Sequence, residues 1–158
     1  MKKGVLPVTA VLCVIAVIMM IIALVNGGKQ ESFSPPPFDS AAQTGDPEVP
    51  QDAGYGEIDA KAFQFLAAGE LTVQDKKTDV WLTNPETNAV WLKVRILDEQ
   101  GNILGESGLI RPGEYVQSVE LSSVPEKSTD VSLKIMAYEP ETYYSAGSAV
   151  LKTTLKMV

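Results

Sequence analysis

Val90-Trp91-Leu92-Lys93-Val94-Arg95-Ile96 is the stretch that decides the fold. Apolar residues stand at 90, 92, 94 and 96, with bulky or charged ones between them. A period of two fits a strand buried on one face; a helix would repeat its apolar positions every three or four residues. The same alternation returns where Val131, Leu133, Ile135 and Ala137 interleave with Ser132, Lys134 and Met136. It returns again where Ala149, Leu151, Thr153, Leu155 and Met157 interleave with Val150, Lys152, Thr154 and Lys156. Turn signals separate the runs: Asn84-Pro85 to Asn88, Gly101-Asn102 after Asp98, Pro112-Gly113, and Pro125 to Asp130. Pro112-Gly113 suits a type II turn, in which proline presets the first central residue and glycine takes the positive φ of the second. Strands are expected near 62–66, 70–73, 78–84, 89–98, 103–110, 114–121 and 130–139, and 147–157 adds an eighth if the two short first ones are counted separately. Such spacing predicts an all-β domain, an immunoglobulin-like antiparallel sandwich of about seven strands, with a small open barrel as the alternative.

Residues 57–158 carry 15 acidic and 10 basic side chains and are the one segment able to bury a core, so one domain is expected there. Upstream, residues 26–56 hold five of the ten prolines, five of the twelve glycines, and five acids against Lys29 alone. That composition predicts a disordered Pro/Gly-rich stalk. Pro35-Pro36-Pro37, flanked by Phe33 and Phe38, could dock to a proline-reading domain, but a spacer suits the composition better. Residues 1–25 begin with Lys2 and Lys3, and from Val5 to Val25 only Pro7 and Thr9 fall outside the apolar class. At about 1.5 Å per residue this run covers roughly 30 Å, the thickness of a bilayer core. It exceeds the apolar region of a cleaved secretory signal, and a signal-anchor transmembrane helix is expected. The two lysines before it place the N-terminus in the cytoplasm and the C-terminal domain outside the cell membrane.

The composition excludes several chemistries. The 158 residues include no His and one Cys, Cys13, inside the apolar run. No Ser-His or Cys-His nucleophile pair, His-ligated zinc, CxxC pair or intramolecular disulfide can be built. The net charge of −7 argues against nucleic acid, whose binders need a basic stripe. There is no GxGxxG, Walker loop or GxSxG. Asp98, Glu99 and Asn102 lack the alternating ligands and distal Glu of a calcium loop and read as a solvated acidic hairpin. No enzyme activity, cofactor or metal is expected.

Two aromatic groups remain as candidate contacts. If Asn84–Asn88 is a five-residue hairpin loop, Trp81 and Trp91 lie opposite each other, with Cβ atoms about 5 Å apart on the outward face beside Arg95 and Lys93. Such a pair is a platform for a sugar ring, a peptide or a partner domain; the commoner role is to stabilise its own hairpin, with Arg95 or Lys93 over an indole or the upstream segment folded back over both rings. Tyr138, Tyr143 and Tyr144 form a second group around Pro140, where loop tyrosines serve either recognition or core plugging.

From Asp79 to Val158 the chain resembles membrane-anchored extracellular β-sandwich domains of Gram-positive bacteria, to which no function is assigned. The resemblance rests on Asn84-Pro85 with Asn88, Leu97-Asp98, Gly101, Ser107-Gly108-Leu109-Ile110 before Pro112-Gly113, Glu120-Leu121, Tyr138, and Gly147 to Ala149. Lys127-Ser128-Thr129 departs from the Gly-x-Tyr turn common at that place. The resemblance implies fold class and location, and no active site. The expected function is a non-catalytic module contacting an envelope or surface protein or glycan. The alternative is an accessory subunit of a secretion or conjugation complex, although the apolar run has no GxxxG for helix packing.

Overall fold

The structure, a computed structural model, describes Val17, Ile18 and residues 33–157. The chain divides into two compact units, Met1–Ser34 and Pro35–Val158. In the first, Val17 and Ile18 are helical and exposed. The rest of the expected span over Val5–Val25 lies outside the described residues, and among these no helix is long and apolar enough to cross a membrane.

The second unit is nearly all β. Ten strands follow in order: β1 (Gln43–Thr44), β2 (Gly56–Asp59), β3 (Gln64–Ala67), β4 (Leu71–Gln74), β5 (Lys77–Asn84), β6 (Trp91–Leu97), β7 (Ile103–Glu106), β8 (Glu114–Glu120), β9 (Thr129–Tyr138) and β10 (Ser145–Met157). One short 3-10 turn, Gln51–Ala53, precedes β2. The strands form one curled sheet in the order β1-β8-β5-β4-β10-β9-β6-β7, with β3 attached to β5 and β2 to β3. The curl brings the last strand back near the start, where Gly105 of β7 bridges Leu121 beyond β8 and Ser122 N–H donates to Leu104 O at 2.8 Å.

The apolar positions of β6 face the core as their spacing predicts, although Lys93 between them, expected on the outward face, is buried as well. Leu92, Val94 and Ile96 are fully buried, and Leu133 and Ile135 of β9 meet them from the neighbouring strand. Phe65, Leu71, Leu82 and Leu155 complete the same core. Burying a side chain of this size contributes about 1.5–3 kcal/mol, which makes this cluster the main source of stability. Arg111-Pro112-Gly113-Glu114 closes as expected: Glu114 N–H donates to Arg111 O at 3.0 Å and Gly113 has φ 78°. The hairpin between β4 and β5 turns on Asp75 and Lys76, both at positive φ, which matches the right-handed twist of the strands it joins.

Three expectations require correction. The Asn84–Asn88 segment does not close a hairpin: β5 pairs with β3, β4 and β8, whereas β6 pairs with β7 and β9. The chain crosses here because Asn84 is fully buried and its side-chain amide donates to Val90 O at 2.8 Å and to Ile110 O at 3.0 Å. Nor is the whole of 26–56 a disordered stalk. From Pro35 it belongs to the compact unit: Leu109 N–H donates to Pro37 O and Asp39 N–H to Leu109 O, each at 2.9 Å, and Gln43–Thr44 pairs with Tyr115 and Glu114. Residues 26–32 lie outside the described residues. The expected strand 103–110 ends at Glu106, because Ser107 turns its hydroxyl to Val94 N–H and Leu109 and Ile110 bridge to Phe38 and Leu92 instead.

Candidate functional site: a groove and an aromatic cluster

Trp81 and Trp91 do not form a pair. In β5 the pairing with β8 passes from Asp79↔Ser118 to Leu82↔Val116, so Val80 and Trp81 together oppose Gln117. This β-bulge puts Trp81 at φ 46°, in the left-handed region rarely used by bulky residues. It also turns the indole from the outward face into cover, leaving it 8% exposed. Tyr115 stacks on it at 6.3 Å between ring centres and 28° between planes. Thr83 donates its hydroxyl to Trp81 O at 3.3 Å, which leaves Tyr55 as the donor in their 2.7 Å contact. Burial of Tyr55 raises its pKa above 10.0 and the charge of Asp46 adds to this; the Thr83 hydroxyl, turned to donate to the ionised phenolate, opposes it.

Beside Trp81 lies an open groove of about 510 Å³ between β4, the β4–β5 turn, β5 and β8. Asp52, Glu70, Asp75 and Asp79 line it together with Lys77, Gln74, Gln117, Thr72 and Ser118. Gln117 donates to Asp79 Oδ2 at 3.3 Å, which orients that carboxylate, and Lys156 pairs with Glu70. The groove offers carboxylates, amides, hydroxyls and the border of an indole, with one lysine. This donor and acceptor set matches a polyhydroxylated ligand and repels an anionic one.

Trp91 belongs to a second cluster. Its ring meets Phe38 edge-on at 4.8 Å and Tyr143 at 5.3 Å, and the Arg111 guanidinium lies 3.5 Å from the centre of the Phe38 ring. Tyr138 stands opposite Trp91 in the β6–β9 register, half-buried, with its hydroxyl on Met136 Sδ at 3.7 Å. Tyr143, at φ 58°, sits in a tight turn held by its N–H to Glu139 O and by Glu139 N–H to Tyr144 O. Tyr144 is 71% exposed. The structure therefore brings Trp91, Tyr138 and Tyr143 together and leaves Trp81 and Tyr144 apart from them. Phe38 and Arg111 are the members that the sequence reading missed. The signal for them was Gly108 in the Ser-Gly-Leu-Ile run, a glycine with no turn to make.

Arg95 stacks on neither indole. It and Lys93 clasp Glu106: Arg95 Nε to Oε2 at 2.8 Å and Lys93 Nζ to Oε1 at 2.9 Å. Lys93 is buried, an unusual position for an ammonium group without a partner. Partial burial of Glu106 works to raise its pKa, but bonds and charge from Lys93 and Arg95 outweigh this and hold it below the ordinary 4.5. The folded value is lower than the unfolded one, so the contribution is present above about pH 4.5 and is lost as pH falls through the folded value. Because Glu106 is two-fifths exposed, Glu106→Gln is expected to cost only about 1–2 kcal/mol at neutral pH. It should also flatten the loss of melting temperature on acidification, which thermal melts from pH 7 down to about pH 3 would measure.

Asp98 is taken up by its own turn. Its carboxylate accepts from Gln100 N–H at 2.9 Å, Asn102 N–H at 2.7 Å and Asn102 Nδ2 at 2.8 Å. The Asn102 side chain is the main cause of its lowered pKa. Among the described residues no group of three or more His, Cys, Asp or Glu side chains is placed to hold a metal ion. The chain matches no protein-family model and no curated protein.

Proposed function

We propose that this chain is a non-catalytic, membrane-anchored extracellular module that binds an envelope or surface partner, protein or glycan. The groove beside Trp81 carries the reading. Its mixture of carboxylates, amides and hydroxyls next to an indole favours a neutral glycan over an anionic polymer. The anchor is the apolar run Val5–Val25, with Lys2 and Lys3 on the cytoplasmic side and a single pass to the outside. The resemblance to Gram-positive surface domains points to the same location. The domain is read as an immunoglobulin-like sandwich, with β3-β5-β8 in one layer and β4-β10-β9-β6-β7 in the other. What supports this division is the strand order and the parallel pairing of β4 with β10.

The test uses Trp91→Phe in the full-length chain in detergent micelles, which leaves Trp81 as the one indole. Soluble N-acetylglucosamine oligomers, which carry no charge, are expected to shift or quench its emission saturably. Asp79→Ala, which removes a groove carboxylate, should weaken that response about tenfold, the equivalent of one charge-assisted hydrogen bond. Emission that stays constant, together with no retention of the chain on insoluble chitin, would remove the glycan reading. A response indifferent to Asp79→Ala would move the site elsewhere.

A further inference from the structure

We propose that the edge formed by Gly108, Leu109 and Trp91 is a peptide-reading site, filled in cis by Pro37-Phe38-Asp39 and able to take the same segment from a second copy of the chain. Each feature of the segment has a matching feature of the site. Leu109 N–H donates to Pro37 O and Asp39 N–H donates to Leu109 O, both at 2.9 Å, and this makes a parallel bridge between Phe38 and Leu109. The Gly108 N–H donates to Asp39 Oδ2 at 2.7 Å. The Phe38 ring lies between Trp91, 4.8 Å away, and the Arg111 guanidinium, 3.5 Å away. Gly108 leaves the space that the segment fills, since a Cβ there would stand 2.4 Å from Asp39 N and 2.5 Å from its Cα. An added strand gives affinity through the main chain, and pockets for particular side chains give selectivity. Here the selectivity is for an extended segment with an aromatic residue followed by aspartate.

The segment lies at the N-terminal border of the compact unit, and what holds it in cis is short. Between Asp39 and β1 there is one turn, with Ala41 N–H on Asp39 Oδ1 at 2.8 Å and Ala42 N–H on Asp39 O at 3.3 Å. Opening that turn frees the segment, and every contact it gives up can re-form on a neighbouring copy. Exchange of an identical element is a low-cost route to a dimer, and the balance is set by effective concentration. Every copy carries both the site and its ligand, which is why a second copy is the occupant that the chemistry selects.

Two full-length variants in micelles test this. Gly108→Val keeps the segment and blocks the site, and Phe38→Ala/Asp39→Ala keeps the site and ruins the segment. Each alone should be monomeric; mixed, they should form a one-to-one heterodimer by sedimentation. A fluorescein-labelled peptide of residues 34–40 should bind the Phe38→Ala/Asp39→Ala chain and bind the unaltered chain at least about tenfold more weakly, because the cis segment competes. Deleting Ala41 and Ala42, which leaves the segment too short to seat in cis, should make the chain dimeric even if Gly108→Val does not fold. A monomeric deletion variant overturns the exchange between copies, as does a heterodimer that persists when the Gly108→Val chain also carries Phe38→Ala. A peptide that does not bind overturns the site itself.

Discussion

Asn84→Ala is expected to destabilise the domain by about 3 kcal/mol, and Asn84→Asp by more. Asn84 has no exposed surface. Its Nδ2 donates to Val90 O and Ile110 O, its Oδ1 accepts from Asn88 Nδ2 at 2.7 Å, and its main-chain O accepts from Gly113 N–H at 2.8 Å. One side chain thus ties the end of β5 to the start of β6 and to the Leu109–Ile110 segment. Alanine leaves the part-buried Val90 carbonyl without this donor, at about 1–3 kcal/mol for such a group, and opens a small void where Asn84 was fully buried. Ile110 O loses less, since Leu92 N–H also donates to it at 3.0 Å. Aspartate is similar in size but turns a carboxylate oxygen toward two carbonyl oxygens, so a purely steric account and a hydrogen-bonding account give opposite orders. Asn88→Ala, at a half-buried position, should cost about 1 kcal/mol. Urea unfolding of the four proteins with a common m-value would test the order, and Asn84→Asp at least as stable as Asn84→Ala would refute it.

The second large effect concerns the place where the curled sheet meets itself. A Cβ on Gly105 would lie 2.5 Å from Glu120 O and 3.1 Å from Val119 Cγ1. The first of these atoms is main chain and has no rotamer by which to retreat. Gly105→Val is therefore expected to force β7 away from β8, weaken the Ser122 to Leu104 bond, and cost about 3 kcal/mol, the upper range for overpacking. Gly101→Ala provides the contrast. Gly101 sits at φ 86° with nothing within 4 Å of an added Cβ, so its cost is conformational only, about 1 kcal/mol. Thermal melts that rank the two glycines the other way would show that the β7–β8 approach does not matter to stability.

The strands were legible because period-two burial is a local property. Val90 to Ile96 and Val131 to Ala137 carry it in their own composition, and their apolar positions face the core, although Lys93 and Met136 on the other face are buried too. Pairing was less legible, because a strand's partner is chosen across the whole domain. Asn84-Pro85 to Asn88 has every mark of a hairpin turn, yet a buried amide that bonds to Ile110 directs the chain away from β5. Trp81 was misplaced by a bulge that Asp79-Val80-Trp81-Leu82, with no glycine, does not announce. Once two residues oppose one, the alternation shifts and the indole changes sides. The Pro35–Asp39 segment read as stalk because its composition cannot bury a core of its own. What orders it is Gly108 and Leu109, far along the chain, and no local window contains both.

The parallel pairing of Leu71, Thr72 and Val73 with Leu155, Lys156 and Met157 sets a timetable for folding. Thr153 Oγ1 donating to Gly69 O at 2.6 Å and the Lys156–Glu70 pair reinforce the same junction. Until β10 has been synthesised, β4 lacks one of its two neighbours and β9 has only β6 beside it, so the core around Leu71 and Leu155 stays open to water. Contacts of such long sequence separation slow folding, because loop closure must be met before they form. The core around Leu71 and Leu155 therefore closes only once β10 is available to pair with β4 on one side and β9 on the other.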